Sequence, residues 1–237
     1  QRISEHLGIN TRAVHLRRRW IEDHYKISLN ASDHRGVKYD KNRPKSFSPL
    51  KQIKLGMLDS CVIVFSDAHF IPHQRTTAFK GLLYMIETLK PHAVICNGDA
   101  FDGSTISRHD VTDQPQITVI QELKACQGML GEIEETAKAA RHNVKLLFTW
   151  GNHDIRFGNR LAQHAPQFKD VVGFKLTDHI PDWEFCWAVW PTDSVIIKHR
   201  YKNGIHAAHN NTVNAGVSIV TGHLHSLKVT PFNHYNG

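Results

Sequence analysis

Several features that would point to common functional classes are missing from this chain of 237 residues. No apolar run approaches the roughly 18 residues of a membrane span. No basic segment near the start leads into an apolar stretch with a small-residue cleavage site. We therefore expect a soluble, cytoplasmic protein with no membrane partner. Because the first residue is Gln1 and not Met, we also expect further sequence upstream.

Cysteine is sparse, and its spacing argues against two of its usual roles. The four residues are widely separated and form no CxxC pair, and two of them lie inside apolar, strand-like runs. They are Cys61, Cys96, Cys126 and Cys186. We predict reduced thiols in the core, and neither a disulfide framework nor a cysteine zinc site.

Motifs for two frequent kinds of phosphate chemistry are also absent. The sequence contains no GxxxxGK[ST] phosphate-binding loop, and no Ser or Cys stands in a recognisable catalytic triad. These absences argue against a P-loop nucleotide hydrolase and against a covalent Ser or Cys mechanism.

Positive charge is concentrated at one end of the chain. Residues 1–60 hold thirteen Lys or Arg against six Asp or Glu, whereas residues 61–237 hold sixteen of each kind. Clustered Lys and Arg favour a polyanionic partner, nucleic acid above all, because binding releases counterions. The alternative is a solvated basic face that only maintains solubility.

The first 29 residues read as two short helices around a turn. Ile3 and Leu7 form an apolar stripe, Gly8 suits a helix C-terminus, and Thr11 can cap the next helix. The pattern resembles the last two helices of a helix-turn-helix, whose second helix lies in the DNA major groove. That helix would offer Arg12, His15, Arg17, Arg18 and Arg19 to phosphates or bases. A basic helical arm packed elsewhere is the alternative.

Residues 30–56 are polar, basic and interrupted by Gly and Pro, which predicts a linker, and residues 57–237 read as one α/β domain. In that domain, short β-branched runs alternate with segments of helical period, namely Phe79, Leu82, Leu83, Ile86 and Leu89, and then Ile120, Leu123, Leu130 and Ile133. The run WEFCWAVW predicts one further strand that places Trp183, Phe185, Trp187 and Val189 on one face, with base stacking as a less favoured role for these aromatics.

Five of the predicted strands end in residues that bind metals. The runs are CVIVFSD, HAVICNGD, VKLLFTWGNHD, SVIIKH and SIVTGHLH. In open α/β sheets ligands gather beyond the carboxyl ends of the strands. The candidate ligands at those ends are Asp67, His69, Asp99, Asn152, His199, His223 and His225. With one bridging carboxylate, these seven side chains make two sites of four ligands each.

The motifs DAH, GDAFD, GNHD, a strand-end His and GHLH, in this order, resemble those of the calcineurin-like metallophosphoesterases over roughly residues 61–230. That superfamily includes purple acid phosphatases, phosphodiesterases and related nucleases. The resemblance implies a layered α/β domain, a β-sandwich flanked by helices, here preceded by a small helical N-terminal segment. It also implies two divalent metal ions, for which we favour Mn²⁺ over Fe, Zn²⁺ or Ni²⁺.

Roles follow from the resemblance, position by position. The first metal would be held by Asp67, His69, Asp99 and His225, and the second by Asp99, Asn152, His199 and His223. His153 would act as general acid or charge stabiliser at the leaving oxygen, with Asp154 orienting its ring. Asp102 would support the site without binding metal.

Two assignments stay open at this point. The family's fourth motif commonly reads His-Gly, whereas here it reads His199-Arg200, so His206 and His209 are rival ligands. His199 is preferred because it directly ends an apolar strand. Arg108, His109 and Arg156 follow metal motifs and could clamp a phosphate, with ordinary surface charge as the alternative.

The sequence thus favours a dinuclear-metal phosphodiesterase or nuclease, in which a metal-bound hydroxide attacks a nucleic-acid phosphodiester, with DNA as the favoured partner. A phosphomonoesterase or small-nucleotide hydrolase is the first alternative. A DNA-binding regulator with a structural metal site is the second.

Overall fold

The computed structural model describes five stretches of the chain, residues 19–24, 51–56, 60–107, 117–168 and 171–231. It divides the chain into two units, Gln1–Phe47 and Ser48–Gly237. In the first unit residues 19–24 are helical, and the rings of Trp20 and His24 stack at 4.8 Å. The remainder of the expected helix-turn-helix segment lies outside the described residues.

The second unit alternates strands and helices along the chain. The strands are β1 (Gln52–Lys54), β2 (Val62–Phe65), β3 (Ala93–Cys96), β4 (Lys145–Thr149), β5 (Glu184–Cys186), β6 (Ala188–Thr192), β7 (Val195–Ile197) and β8 (Ser218–Val220). The helices are α1 (Thr77–Leu89), α2 (Val119–Ala140), α3 (Asp154–His164), α4 (Leu176–His179) and α5 (Ala207–Ala215), with 3₁₀ turns at Ser104–Ile106 and Pro166–Phe168. No helix in the described part of the chain is both long and apolar enough to cross a membrane.

The strands form two four-stranded sheets. One sheet has the order β2-β3-β4-β5 and is parallel throughout. The other has the order β1-β6-β7-β8, in which β6 and β7 run antiparallel and the two outer pairs are parallel. In the parallel sheet, the carboxyl ends of β2, β3 and β4 lie side by side, which brings the loops that follow them together.

The residues of β3 show how the layers are packed. Val94 and Cys96 face the core shared with α1 and α2, whereas Ile95 faces the core between the two sheets, together with Val189 and Ile197 of the other sheet. Alternate residues of a strand point to opposite faces, so a strand buried on both sides has no polar face. The order of layers is helices, sheet, sheet, and the predicted α/β fold with flanking helices is confirmed.

The two predicted helical segments are present, and each is capped. Helix α1 begins after Thr76, whose side chain accepts the backbone N–H of Phe79 at 3.1 Å. Helix α2 begins after Thr118, whose backbone N–H donates to Oε1 of Gln121 at 2.9 Å, one half of a capping box. Both helices pack on the parallel sheet through the apolar positions expected from their spacing, although Leu89 and Ile120 are exposed.

Two stretches differ from expectation. Gln52–Lys54, inside the predicted linker 30–56, forms β1 and pairs with β6, because Ile53 packs against the core between the sheets. The run WEFCWAVW forms two strands, not one: β5 joins the parallel sheet, and β6 joins the other. The chain changes sheets at Trp187, whose backbone N–H donates to the carbonyl of Lys51.

Candidate metal centre

The loops that follow β2 and β3 run side by side beyond the sheet. The backbone N–H of Asp67 donates to the carbonyl of Gly98 at 3.0 Å, and that of His69 donates to the carbonyl of Asp99 at 3.0 Å. These bonds continue the main-chain pairing past the ends of the strands. The first two sequence motifs are therefore fixed against each other by the backbone, before any side chain contributes.

Five of the seven predicted ligands have a left-handed backbone conformation, which residues other than glycine rarely adopt. Their φ angles are 54° at Asp67, 42° at His69, 54° at Asp99, 74° at His223 and 48° at His225. Such residues cost free energy and cluster at functional sites, where the surrounding structure enforces them. Their concentration at these strand ends marks the edge of the sheets as a candidate site.

The first cluster joins the loop after β2 to the loop after β8. Asp67, His69 and His225 each offer a ligand atom within 4.8 Å of the others. Nε2 of His225 lies 3.3 Å from Oδ1 of Asp67. The carboxylate of Asp67 also accepts the backbone N–H of His223 at 2.9 Å, which ties the GHLH segment to the first motif.

The second cluster lies deeper and contains Asp99, His199 and His223, again within 4.8 Å of one another. Nε2 of His199 lies 3.0 Å from Oδ2 of Asp99 and 3.3 Å from Oδ1 of Asn152. The structure thus brings Asn152 and His199 to the same point. Asp99 of this cluster and His69 of the first are on adjacent, hydrogen-bonded loops.

Three imidazoles each place a ring nitrogen at a cluster. Nδ1 of His199 lies 2.7 Å from the carbonyl of Asn97 and carries a proton, so Nε2 is the nitrogen that points at Asp99 and Asn152 in the second cluster. Nδ1 of His69 is similarly 2.9 Å from Oδ1 of Asp102, while its Nε2 is buried without a hydrogen-bond partner. Nδ1 of His223 is also buried without a partner.

These unpartnered nitrogens support a fit to metal ions. A buried polar atom without a partner costs about 1–3 kcal/mol, and a bound cation removes that cost. The donors are carboxylate oxygens, an amide oxygen and imidazole nitrogens, a set that suits divalent cations of intermediate hardness. The residues present therefore fit a divalent cation at each of these two clusters; a third group, His69, Asp102 and His153, shares His69 with the first cluster.

Two glycines allow the carboxylates to approach the neighbouring loops. A Cβ on Gly151 would overlap Oδ1 of Asp99, and a Cβ on Gly222 would overlap Oδ2 of Asp67. Both glycines belong to the motifs read from the sequence, GNHD and GHLH. Their role is to leave space for the ligand of the opposite loop.

Electrostatics favour a charged Asp99. Burial alone would raise the pKa of the Asp99 carboxyl, but hydrogen bonds from His199 and from the backbone N–H of His153 outweigh it and lower the pKa. Burial lowers the pKa of His199, and its contact with Asp99 more than reverses this, so the pKa is raised. The pKa of His223 is lowered, first by burial and then by the positive charge of His199.

The ring of His153 is oriented by Asp102 and not by Asp154. Nδ1 of His153 lies 3.0 Å from Oδ1 of Asp102 and 2.9 Å from its carbonyl. Burial lowers the pKa of His153, but the bond to Asp102 outweighs it and raises the pKa. Hydrogen bonds from His153 and His69 hold the pKa of Asp102 far below its ordinary value.

Asp154 instead organises the backbone, contrary to the expectation from the sequence. Its fully buried carboxylate accepts the backbone N–H groups of Asp99, Phe101 and Gly151 at 2.7, 3.1 and 2.9 Å. Burial, and then the charge of Asp99, raises the pKa of Asp154 to about 6. Its described hydrogen bonds go to these backbone groups and not to the His153 ring, and they join the GDAFD and GNHD loops to each other.

Arg156 lies next to His153. It donates to the carbonyl of Asp102 at 3.1 Å, and its other terminal nitrogen is 3.1 Å from Nε2 of His153. The alternative ligand His206 precedes α5 and is exposed, as is His209. The position of His199 beside Asp99 and Asn152 favours it over both.

The other residues singled out from the sequence are only partly described. Arg108 and His109 lie outside the described residues, as do Arg12, His15, Arg17 and Arg18. Arg19 is described, and it is exposed in the helical segment 19–24. Its contact with nucleic acid stays a prediction.

Sequence reasoning missed Asn97. Oδ1 of this buried residue accepts a hydrogen bond from the hydroxyl of Thr149 at 2.7 Å. Its backbone carbonyl accepts from Nδ1 of His199 and so fixes the position of that proton. It directly precedes the Gly98-Asp99 pair, so an Asn at the end of a fully apolar strand was the available signal.

Comparison with known proteins agrees with this geometry. The family model for calcineurin-like phosphoesterases matches residues 62–229, which is most of the chain and includes every predicted ligand. The chain is a calcineurin-like phosphoesterase. No curated protein matches the sequence. As a member of this family, the phosphoesterase is a metal-dependent hydrolase of phosphate esters, and its two clusters could hold the metal.

Proposed function

We propose that this phosphoesterase is a dinuclear phosphodiesterase that hydrolyses nucleic-acid phosphodiesters, with DNA as the favoured substrate. The observation that carries the proposal is the pair of adjacent clusters, Asp67–His69–His225 and Asp99–His199–His223, joined by hydrogen-bonded loops. The basic excess of residues 1–60 supports a polymeric anion as substrate, because the remainder of the chain is neutral overall.

In this proposal Asp99, which the structure groups with His199 and His223, would contribute a ligand to both cation sites. Its Oδ2 faces His199, its Oδ1 accepts the backbone N–H of His153, and its backbone carbonyl accepts the N–H of His69. Asp67 and His225 complete the first site, and Asn152 and His223 the second. When bound, a pair of divalent cations supplies an activated water and neutralises charge on the phosphoryl oxygens.

His153 acts on the leaving group. Asp102 holds the proton on Nδ1 of His153, so Nε2 is the atom that faces the substrate and Arg156. The bonds to Asp102 raise the pKa of His153, and the protonated ring, which carries a proton on Nε2 as well, can deliver that proton to the leaving oxygen or stabilise its developing charge. Arg156 adds a positive charge beside the same atom. Asp102 holds both side chains: its carboxylate contacts His153, and its backbone carbonyl accepts a hydrogen bond from Arg156.

We propose Mn²⁺ as the native metal, with Fe, Zn²⁺ and Ni²⁺ as alternatives. The ligands combine carboxylate and amide oxygens with imidazole nitrogens and include no thiolate. Oxygen-rich sites suit Mn²⁺, whereas imidazole is also suited to Fe, Zn²⁺ and Ni²⁺.

The test is hydrolysis of four substrates by the Mn²⁺-loaded protein: bis-p-nitrophenyl phosphate, p-nitrophenyl phosphate, and labelled single- and double-stranded DNA. We expect metal-dependent cleavage of the diester and of DNA, with an affinity for DNA that falls steeply as salt is raised. Activity confined to the monoester would replace the proposal with a phosphomonoesterase. Failure on all four would leave a specialised small nucleotide or a regulatory role.

Two variants separate binding of metal from chemistry. Asp99→Ala is expected to lose both metals and essentially all hydrolysis. His153→Ala is expected to keep both metals and to lose about 10²–10⁴-fold in kcat, the usual contribution of a positioned acid or base. Metal content by elemental analysis distinguishes the two. Wild-type turnover in metal-loaded Asp99→Ala would contradict the assignment.

A further inference from the structure

A cavity of about 210 Å³ adjoins the candidate metal centre along one face of α3. Asn152, Ile155, Arg156, Asn159, Arg160 and Gln163 form one wall, at the three- and four-residue spacing of a helix face. Ile106 and Ser107, after the 3₁₀ turn Ser104–Ile106, form the other. The cavity begins at Asn152, beside His199, and follows the helix away from the two clusters.

Among the described residues, the lining is rich in hydrogen-bond donors and contains no acidic side chain. Two guanidinium groups, two further side-chain amides and one hydroxyl face the cavity beyond Asn152. A concave surface with two positive charges and no carboxylate among its described lining residues attracts anions. Arginine in particular recognises phosphate, because its planar N–H groups match two phosphate oxygens.

The two arginines differ in what holds them. Arg156 is half-buried and donates to the carbonyl of Asp102 while facing Nε2 of His153. Arg160 is exposed, and within the described part of the chain it has no hydrogen-bond or ion-pair partner. Arg156 is therefore placed to contact the reacting phosphoryl group and its leaving oxygen. The side-chain N–H groups of Arg160 are available to another anion.

The spacing places Arg160 one helical turn beyond Arg156. Four residues of α-helix rise about 6 Å, a distance comparable to the step between successive phosphates in a nucleic-acid strand. The cavity is also smaller than the roughly 300–1,000 Å³ of sites that enclose a whole small ligand. It fits one part of a larger substrate whose scissile group lies at the metal centre.

We propose that this cavity is a subsite for a second phosphoryl group, held by Arg160 with help from Asn159 and Gln163. This inference rests on the proposed phosphodiesterase function and names its substrate class: molecules that carry a further phosphate beside the scissile one. The second phosphate comes either from the next nucleotide of a strand or from the terminal phosphate of a small nucleotide.

The test compares the dinucleotide dTpdT with its 5′- and 3′-phosphorylated forms and with an oligothymidylate. For the wild type, the added phosphate is expected to raise kcat/KM, and Arg160→Gln is expected to reduce that gain by about tenfold, the value of one charge-assisted contact. Arg75→Gln is the matched control, because it removes an exposed arginine paired with Glu132 on another helix. The control is expected to retain the full gain.

The outcomes separate the sources of the second phosphate. A loss confined to the terminally phosphorylated dinucleotides indicates a small nucleotide, and a loss with the unphosphorylated oligothymidylate indicates a strand. An equal loss on dTpdT and on its phosphorylated forms would overturn the proposal, because Arg160 would then act on the scissile group or on the fold. No loss on any substrate would overturn it as well.

A binding measurement keeps the subsite testable if the proposed function fails. If the wild-type protein cleaves none of these diesters, calorimetry with thymidine 3′,5′-bisphosphate and thymidine on the metal-stripped protein tests the subsite alone. The subsite predicts that the bisphosphate binds more tightly than thymidine and that Arg160→Gln removes about tenfold of that preference. Equal affinities in the wild type and the variant would refute it.

Discussion

Replacement of Asp102 by alanine tests whether its carboxylate orients the two histidine rings that it contacts at the metal centre. Oδ1 of Asp102 lies 2.9 Å from Nδ1 of His69 and 3.0 Å from Nδ1 of His153, so one oxygen fixes both rings. In Asp102→Ala the ring of His69 loses the partner that presents its Nε2 to the first cation. The ligands of the second site, which include Asp99 and Asn152, keep their hydrogen-bond partners in this variant.

The magnitude follows from these contacts. Loss of a partner that orients a metal-binding histidine lowers metal affinity by about 10–100-fold. Since a tenfold change in an equilibrium constant corresponds to about 1.4 kcal/mol, the first site is expected to weaken by about 1.4–2.8 kcal/mol. The second site is expected to change less than about twofold, because Asp102 makes no contact with it. At saturating metal, kcat is expected to stay low because His153 keeps only the bond to the backbone carbonyl of residue 102 and loses the carboxylate that helps to raise its pKa.

The assay is a competition titration of the metal-stripped protein with Mn²⁺ and a fluorescent chelator, which resolves the two affinities. Asp193→Ala is the control, since its side chain is 94% exposed and lies in the turn between β6 and β7, beside Lys54 of β1. Unchanged affinity at both sites would refute the role of Asp102. An equal loss at both sites would indicate a general loss of structure instead.

Two further predictions concern packing and pH. Gly151→Ala is expected to weaken metal binding severely, because its Cβ would overlap the Asp99 carboxylate; near-normal metal content by elemental analysis would contradict this. Burial raises the pKa of Glu122 above its ordinary value near 4.5. The protonated side chain therefore contributes its whole share of the free energy of unfolding below that pH, and this contribution is lost as pH rises through the folded-state pKa. Glu122→Gln, whose Oε1 can still accept the bonds from Ser104, should therefore gain stability relative to wild type as pH rises in denaturant unfolding; a difference independent of pH would refute this.

Much of the site could be predicted because strand ends carry it. Asp67, Asp99 and Asn152 each follow an apolar run, and parallel strands bring their carboxyl ends to one edge. His199 could be preferred over His206 for the same reason, since it lies two residues after the end of β7. The sequence order of short apolar runs and polar ends is therefore sufficient to locate this centre.

The remaining differences depend on contacts that periodicity does not encode. An alternating run such as WEFCWAVW looks the same whether it stays in one sheet or crosses to another, and the pairing of β1 with β6 decides it. Similarly, Asp154 follows His153 directly in the chain, but helix α3 begins there and turns its carboxylate into the backbone of the neighbouring loops. The more distant Asp102 reaches the ring instead.

The left-handed backbone at five ligand positions lowers the stability of the fold, although it places the side chains that the metal centre requires. Each such residue costs about 1–3 kcal/mol unless it is glycine, and the main-chain bonds between the loops enforce it. Selection for a more stable chain alone would favour glycine or asparagine at these positions and so remove the ligands. The presence of Asp and His there, where glycine would be more stable, is what a metal centre requires, and it lowers the stability of the fold that carries it.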